Sequence, residues 1–162
     1  MSVKIGLISD THGKLDSRVS EIFLRQKLEA ILHAGDIGPV DILRELEEIA
    51  PVFAVSGNND HGFPSWPLDP VLTKTFAGKK ITLIHDFKHI APDSSMDALV
   101  CGHTHRSMVV REPRSGVLVI NPGSASVPRS PRGPSVGILT IDGTRGKDPL
   151  YAEIFYLDKL LQ

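Results

Sequence analysis

The chain has only one cysteine, Cys101, among its 162 residues. No intramolecular disulfide can therefore form, and a cysteine-rich zinc module is excluded. Cys101 lies in an apolar run, so we expect it to pack in the core. Metal binding is the alternative, although thiolate ligands are typical of structural zinc sites.

Excess charge of either sign is also absent. The chain has 18 Lys and Arg residues against 19 Asp and Glu residues, a formal net charge of -1. No basic stripe interleaved with aromatic residues is present, which argues against a dedicated binder of nucleic acid or anionic membranes. The N-terminal residues contain no apolar run long enough for a signal peptide or membrane span, so we expect a cytoplasmic protein.

The composition is that of a soluble globular protein, with 41% hydrophobic and 23% charged residues. This length suits one domain of ordinary size, and we expect a single domain over residues 1–162. Two residue counts stand out, namely 7 histidines and a combined 26 glycines and prolines (14 + 12).

The first sixty residues alternate between strand and helix patterns. Apolar runs at 4–9, 30–34 and 52–55 predict buried strands, and amphipathic spacing predicts helices over 15–28 and 40–49. Short connections imply parallel strands with right-handed crossovers. The carboxyl ends of such strands meet at one edge of the sheet, where ligands bind.

The second half predicts short strands separated by turns. The candidates are 72–76, 80–84, 98–101, 108–111, 117–120, 136–141 and 152–156. Turn signals at Ala77-Gly78, Arg114-Ser115-Gly116 and Asp142-Gly143 predict hairpins. Residues 122–134 predict one long irregular loop rich in proline and glycine.

Polar motifs follow five of the predicted strands. They are Asp10-Thr11-His12, Gly35-Asp36, Gly57-Asn58-Asn59-Asp60, His85-Asp86 and Gly102-His103-Thr104-His105. Carboxylates, a carboxamide and imidazoles form the ligand set of a pair of divalent transition-metal ions. In an extended turn, side chains two residues apart point the same way and can reach one ion or two neighbouring ions. Glycine lets the backbone approach the ions closely.

The order of these motifs resembles that of the calcineurin-like metallophosphoesterases over nearly the whole chain. The short length and the Asn121-Pro122-Gly123-Ser124 segment are similar to the small phosphodiesterase branch. The resemblance implies an α/β fold of the metallophosphoesterase type, a four-layer α/β/β/α sandwich.

The resemblance also implies two metal ions that share one carboxylate. One ion would be held by Asp10, His12, Asp36 and His105, and the other by Asp36, Asn58, His85 and His103. We expect manganese, with iron, nickel, cobalt and zinc as alternatives that suit the same ligands. A hydroxide that bridges the ions would attack a small phosphate ester. The resemblance therefore implies a metal-dependent phosphoric ester hydrolase, and within that class we expect a phosphodiesterase.

Two positions depart from the family pattern. Many larger members have histidine where this chain has Asn59, and that histidine protonates the leaving group, which an amide cannot do. The replacement proton donors would be His61, Lys88 or His89. Asp86 stands where relatives commonly have glycine, and its carboxylate could crowd the turn or add negative charge beside the site.

Further residues are candidates for roles around the metal ligands. We expect Asn59 and Asp60 to act in catalysis by contacting ligands or substrate, with a solvated turn carboxylate as the alternative for Asp60. Arg106 and Arg129 are the expected phosphate contacts, with Arg132 as a third candidate and solvated surface cations as the alternative. His33 is expected to be a hydrogen-bonded core residue, and orientation of a carboxylate ligand is its alternative role.

Two alternative functions remain on the same fold. One is a metal-depleted protein-interaction scaffold, since the relatives include a retromer-type subunit without metal chemistry. The complete set of seven coordinating side chains favours the enzyme. The other is a phosphomonoesterase or nuclease. Small relatives are often dimers or tetramers, so the resemblance implies a homodimer or homotetramer.

Overall fold

The computed structural model describes residues 2–161, with side chains described through residue 159, and this part of the chain forms two five-stranded sheets. The strands and α-helices in chain order are β1 (Ser2–Ile8), α1 (Ser17–Leu24), β2 (Ala30–His33), α2 (Asp41–Glu47), β3 (Val52–Ala54), β4 (Val71–Phe76), β5 (Lys79–Ile84), β6 (Ala98–Val100), β7 (Met108–Arg111), β8 (Leu118–Asn121), β9 (Ser135–Asp142) and β10 (Leu150–Tyr156). Short 3-10 turns cover Phe87–His89, Gly143–Arg145 and Leu157–Leu161.

The first sheet has the strand order β10-β9-β1-β2-β3. Strands β1, β2 and β3 are parallel, as predicted, and β9 and β10 join them in antiparallel pairing. Ile8 pairs with His33, and His33 pairs with Ala54. The three parallel strands therefore end side by side, and the polar motifs that follow them start at the same edge.

The second sheet has the order β4-β5-β6-β8-β7. Its three central strands, β5, β6 and β8, are parallel, while β4 and β7 pair antiparallel to their neighbours. The predicted hairpins β4-β5, β7-β8 and β9-β10 are all present. Two further motifs, which start at His85 and Gly102, follow the parallel strands β5 and β6.

Apolar side chains alternate between the two faces of the strands and form three layers of hydrophobic core. Residues such as Leu7 and Leu83 fill the space between the sheets. Ile31 and its outward-facing neighbours pack under α1 and α2. The outer face of the second sheet, which includes Leu99, is covered by Phe87 and its neighbours in a 3-10 turn and loop. The predicted α/β double-sheet architecture is confirmed, but the outer layer on the second sheet is a 3-10 turn and loop instead of α-helices.

The predicted helices are longer than the observed ones. α1 begins at Ser17 because the Asp16 carboxylate accepts a hydrogen bond from the Arg18 N–H at 2.9 Å, an N-cap. It ends at Leu24, before Lys27 adopts a left-handed φ of 51°. Apolar spacing continues to Leu28, whose side chain still packs on the core from the loop.

Among residues 2–161, no helix is long and apolar enough to cross a membrane.

Two leucines in the helical layer provide a matched test of this packing. Leu43 in α2 is fully buried, whereas Leu24 in α1 is 65% exposed. Leu43→Ala should lower the free energy of unfolding by about 2–5 kcal/mol, because it removes buried methyl groups and leaves a cavity. Leu24→Ala should change it by no more than about 0.5 kcal/mol. Urea unfolding of both variants checks this, and equal losses would contradict the layer assignment.

Candidate metal centre

The seven candidate ligands meet at the edge where the parallel strands of both sheets end. In the first group, the Asp10 Oδ1 atom lies 3.3 Å from His105 Nε2 and 3.9 Å from His12 Nε2. The two imidazole Nε2 atoms are 3.2 Å apart. These three residues form a group whose donor atoms could hold one metal ion.

A second group adjoins the first. The Asp36 Oδ2 atom lies 3.4 Å from His85 Nε2, and Asp10 Oδ1 lies 3.9 Å from the same nitrogen. His85 Nε2 also lies 3.0 Å from Asn58 Oδ1 and 3.3 Å from His103 Nδ1. Asp10, Asp36 and His85 could hold a metal ion. Both carboxylates therefore lie between the groups, since Asp36 Oδ2 is also 3.7 Å from His12 Nε2.

The backbone at the centre is strained. Among the described residues, seven that are not glycine have a positive φ, and five of these are candidate ligands: Asp10, His12, Asp36, His103 and His105. The left-handed conformation costs about 1–2 kcal/mol per non-glycine residue. The expectation that D-x-H and H-x-H are extended turns is therefore wrong, because φ is 53° at Asp10 and 48° at His12.

Two glycines allow the strand ends to approach one another. A Cβ atom at Gly35, where φ is 98°, would lie 2.7 Å from His85 Nδ1. A Cβ atom at Gly57 would lie 2.2 Å from Asp36 Oδ1. Real Cβ atoms do not tolerate such distances, so the predicted need for glycine at these positions is confirmed.

Two histidines direct their Nε2 atoms toward the centre. His85 Nδ1 donates to the Ala34 carbonyl at 2.6 Å, and His105 Nδ1 donates to the Val127 carbonyl at 2.5 Å. Their Nε2 atoms are therefore lone-pair donors when the rings are neutral. Histidine ligands are oriented in this way in metal sites.

The Asp10 carboxylate supplies the clearest evidence that this centre suits a cation. It is fully buried, and its Oδ2 atom accepts hydrogen bonds from Ser9 Oγ at 2.7 Å and the His103 N–H at 3.0 Å. Its Oδ1 atom is buried without a hydrogen-bond partner among the described residues. An unsatisfied buried carboxylate oxygen is costly, and a divalent cation among the facing nitrogen atoms would satisfy it. The donor set therefore fits a divalent metal.

Asn59 and Asp60 hold the loop that carries Asp36. The backbone and side-chain N–H groups of Asn59 donate to the two oxygens of Asp36, each at 3.0 Å. Asp60 accepts from the N–H groups of Asp36 at 2.7 Å, Ile37 at 3.0 Å and Gly57 at 2.8 Å. The Asp60 carboxylate thus contacts backbone groups, which is inconsistent with a merely solvated turn.

His33 links the first two strand ends. Its Nδ1 atom accepts from the Gly35 N–H at 3.1 Å, so Nε2 carries the proton and donates to Thr11 Oγ1 at 3.0 Å. Thr11 in turn donates to the Ile37 carbonyl at 2.7 Å. His33 is a hydrogen-bonded core residue, as expected, and it positions the segments that carry Asp10 and Asp36.

Sequence reasoning missed the positioning role of residues 121–127. Asn121 Nδ2 donates to the Gly102 carbonyl at 2.9 Å and to Thr104 Oγ1 at 3.1 Å. Ser124 Oγ donates to the Asp10 carbonyl at 2.7 Å, and Ser126 Oγ donates to the Thr11 carbonyl at 2.6 Å. The hydroxyl-rich sequence after β8 was the available signal.

The remaining candidates lie outside this network. Arg106 and Arg129 are exposed, and their guanidinium groups make no hydrogen bond or ion pair with the described residues, although the Arg129 N–H donates to the His105 carbonyl at 3.0 Å. Arg132 stacks on Tyr156. Cys101 is buried in the core, and burial raises the pKa of its thiol to about 12, so it stays protonated.

Known proteins share this sequence pattern and fold. Residues 3–144 match the calcineurin-like phosphoesterase superfamily domain. A probable metallophosphoesterase of Methanothermobacter thermautotrophicus is 37% identical in an alignment of 158 positions that covers 87% of each chain. The phosphodiesterase YfcE of Escherichia coli is 29% identical in an alignment of 168 positions that covers 86% of this chain and 89% of that protein.

Solved structures with a similar fold include relatives of the same kind. The structure of YfcE, described as a phosphoesterase, matches 87% of this chain and 89% of its own with a TM-score of 0.69 and 27% identity. Vacuolar Protein Sorting 29 of Cryptosporidium parvum matches 96% of this chain and 98% of its own with a TM-score of 0.74, but at 23% identity it shows the shared fold alone.

The chain belongs to the calcineurin-like phosphoesterase superfamily. The expected enzyme class, a phosphoester hydrolase, is thereby confirmed.

The buried His33 ring predicts a dependence of stability on pH. Burial, reinforced by the neighbouring His85, lowers the pKa of His33 from its ordinary value of 6.5 to about 3. Below pH 6.5 the unfolded chain therefore binds a proton that native His33 does not, so stability is lost as the pH falls from 6.5 toward 3. The slope is about 1.4 kcal/mol per pH unit for one proton.

Urea unfolding of the wild type and His33→Gln at pH values between 6 and 4 measures this contribution. The wild-type slope should exceed the variant's slope by roughly one proton. Parallel slopes would show that His33 does not titrate in this way.

Proposed function

We propose that the protein is a phosphodiesterase that depends on two divalent metal ions. The observation that carries the proposal is the buried, unpaired Asp10 Oδ1 atom, which three imidazole Nε2 atoms approach within 3.9 Å. A cation is the group that relieves this arrangement. The family assignment supports the same conclusion.

The geometry supports a division of the ligands into two sets. The first ion would be held by Asp10, His12, Asp36 and His105, and the second by Asp36, Asn58, His85 and His103. We propose manganese as the bound ion, because the oxygen and nitrogen ligands suit it. Iron, nickel, cobalt and zinc suit the same ligands and are the alternatives. The 3.0 Å approach of His85 Nε2 and Asn58 Oδ1 supports the second set, since the nitrogen of a neutral ring and the amide oxygen would both be acceptors there.

The chain's own residues would prepare the reaction. When bound, two divalent ions would supply a bridging hydroxide as nucleophile and neutralise charge on the phosphoryl oxygens. Asn59 fixes both oxygens of Asp36, and Asp60 fixes its backbone. Arg106 and Arg129 lie in segments next to His105 and would contact the phosphate of the substrate.

A small phosphodiester is the favoured substrate. The related phosphodiesterase YfcE supports this choice over the phosphomonoesterase or nuclease alternatives. We further propose one domain over residues 1–162, a cytoplasmic location and a homodimer or homotetramer. The scaffold alternative is disfavoured, because all seven candidate ligands retain coordinating side chains that converge at one edge.

Metal removal and substitution of one ligand test the proposal. His103→Ala should lower hydrolysis of bis(p-nitrophenyl) phosphate at least about 100-fold, because it removes a ligand of the second ion. Chelation should abolish wild-type hydrolysis, and added Mn²⁺ should restore it in the wild type alone. Circular dichroism confirms that the variant stays folded. Undiminished turnover in either case would reject the two-ion proposal.

The rate should also depend steeply on the leaving group. Asn59 cannot supply a proton, and its amide is already bound to Asp36 at 3.0 Å. Across a series of aryl phosphodiesters, kcat/KM should fall as the pKa of the leaving phenol rises. Asn59→His should reduce this slope. A wild-type rate indifferent to the leaving group would instead indicate a proton donor such as His61, Lys88 or His89.

A further inference from the structure

A pocket of about 470 Å³ opens directly beside the candidate metal centre. Three candidate ligands, Asn58, His85 and His103, form the wall nearest the centre. Pro70, Val71 and Ile84 form an apolar wall. This volume accommodates a small organic group attached to a phosphate held at the centre.

One lining residue gives the pocket its charge. Asp86 is the only carboxylate among the described residues that line the pocket, and none of them is lysine or arginine. Arg106 and Arg129, the candidate phosphate contacts, do not line it. With histidine counted as neutral and the ions at the centre left out, the side chains of the pocket wall therefore carry a formal charge of -1.

The Asp86 carboxylate is held in place. Its Oδ1 atom accepts from the Lys88 N–H at 3.1 Å, and this contact caps the short 3-10 turn. Its Oδ2 atom lies 3.7 Å from both His103 Nε2 and His89 Nε2. The Asp86 side chain is 19% exposed, so its field is less screened than that of a surface carboxylate.

We propose that this pocket receives the second ester group of a phosphodiester and selects a positively charged amino alcohol. This inference rests on the proposed phosphodiesterase function and deepens it. Asp86 attracts an ammonium group and repels a carboxylate or further phosphate, while the apolar wall contacts the hydrocarbon part. Water adds to phosphorus, one P–O bond breaks, and a phosphate monoester and an alcohol are released.

Three esters of p-nitrophenyl phosphate with nearly equal shapes test the proposal. The second ester group is choline (cationic), 3,3-dimethylbutyl (neutral) or 3-carboxy-3-methylbutyl (anionic). Wild-type kcat/KM should be about tenfold higher for the choline ester than for the neutral ester, and lowest for the anionic ester. The difference should lie mainly in KM, because the leaving group is the same throughout.

Asp86→Asn supplies the decisive variant. Asparagine can still cap the 3-10 turn, so only the charge is removed. The ratio between the choline and neutral esters should fall to about one. Asp142→Asn is the matched control, because Asp142 caps another 3-10 turn by accepting from the Thr144 N–H and does not line the pocket. Its ratio should equal that of the wild type.

A ratio that Asp86→Asn leaves unchanged, or a wild type that prefers the anionic ester, would overturn the proposal. Failure of the underlying function has a different signature, namely no turnover of any ester by the metal-loaded wild type. In that case the affinities of the pocket for choline phosphate and 3,3-dimethylbutyl phosphate, measured by calorimetry, still test the charge selection. Equal affinities would overturn the charge selection, and a preference for choline phosphate that Asp86→Asn removes would support it.

Discussion

The burial of one carboxylate is the constraint on which the rest of this structure depends. Asp10 follows β1 at the middle of the first sheet, and it is fully buried with one oxygen unpaired among the described residues. In a water-filled cleft this oxygen would be hydrated at no cost. In its actual environment it raises the free energy of the native state unless a cation lies beside it. The fold therefore favours a bound cation beside Asp10.

The centre also contains strained backbone. Five of the candidate ligands have left-handed φ values, and such conformations persist only where surrounding contacts impose them. The contacts come from groups outside the ligand set. Asp60 binds three backbone N–H groups, His33 joins two strand ends, and the serines after β8 bind the carbonyl groups of Asp10 and Thr11. Bound metal would offset the cost of the strain and of the buried carboxylate.

Much of this arrangement could be predicted from the sequence, for identifiable reasons. Apolar runs that end in polar motifs predict parallel strands with a shared carboxyl edge, and that edge holds Asp10, Asp36 and His85 together. Local periodicity could not indicate where α1 ends, because Leu28 continues the apolar pattern from a loop. It also could not indicate left-handed backbone at Asp10 and His12, because the contacts that impose it come from distant segments such as 121–127.

Anomalous diffraction from crystals of the protein loaded with Mn²⁺ tests the central claim most directly. Two peaks should appear at the carboxyl edge of the strands, one beside Asp10, His12 and His105 and the other beside Asn58, His85 and His103. Asp36 should contact both. A single peak, or peaks away from these side chains, would contradict the assignment of a two-ion centre.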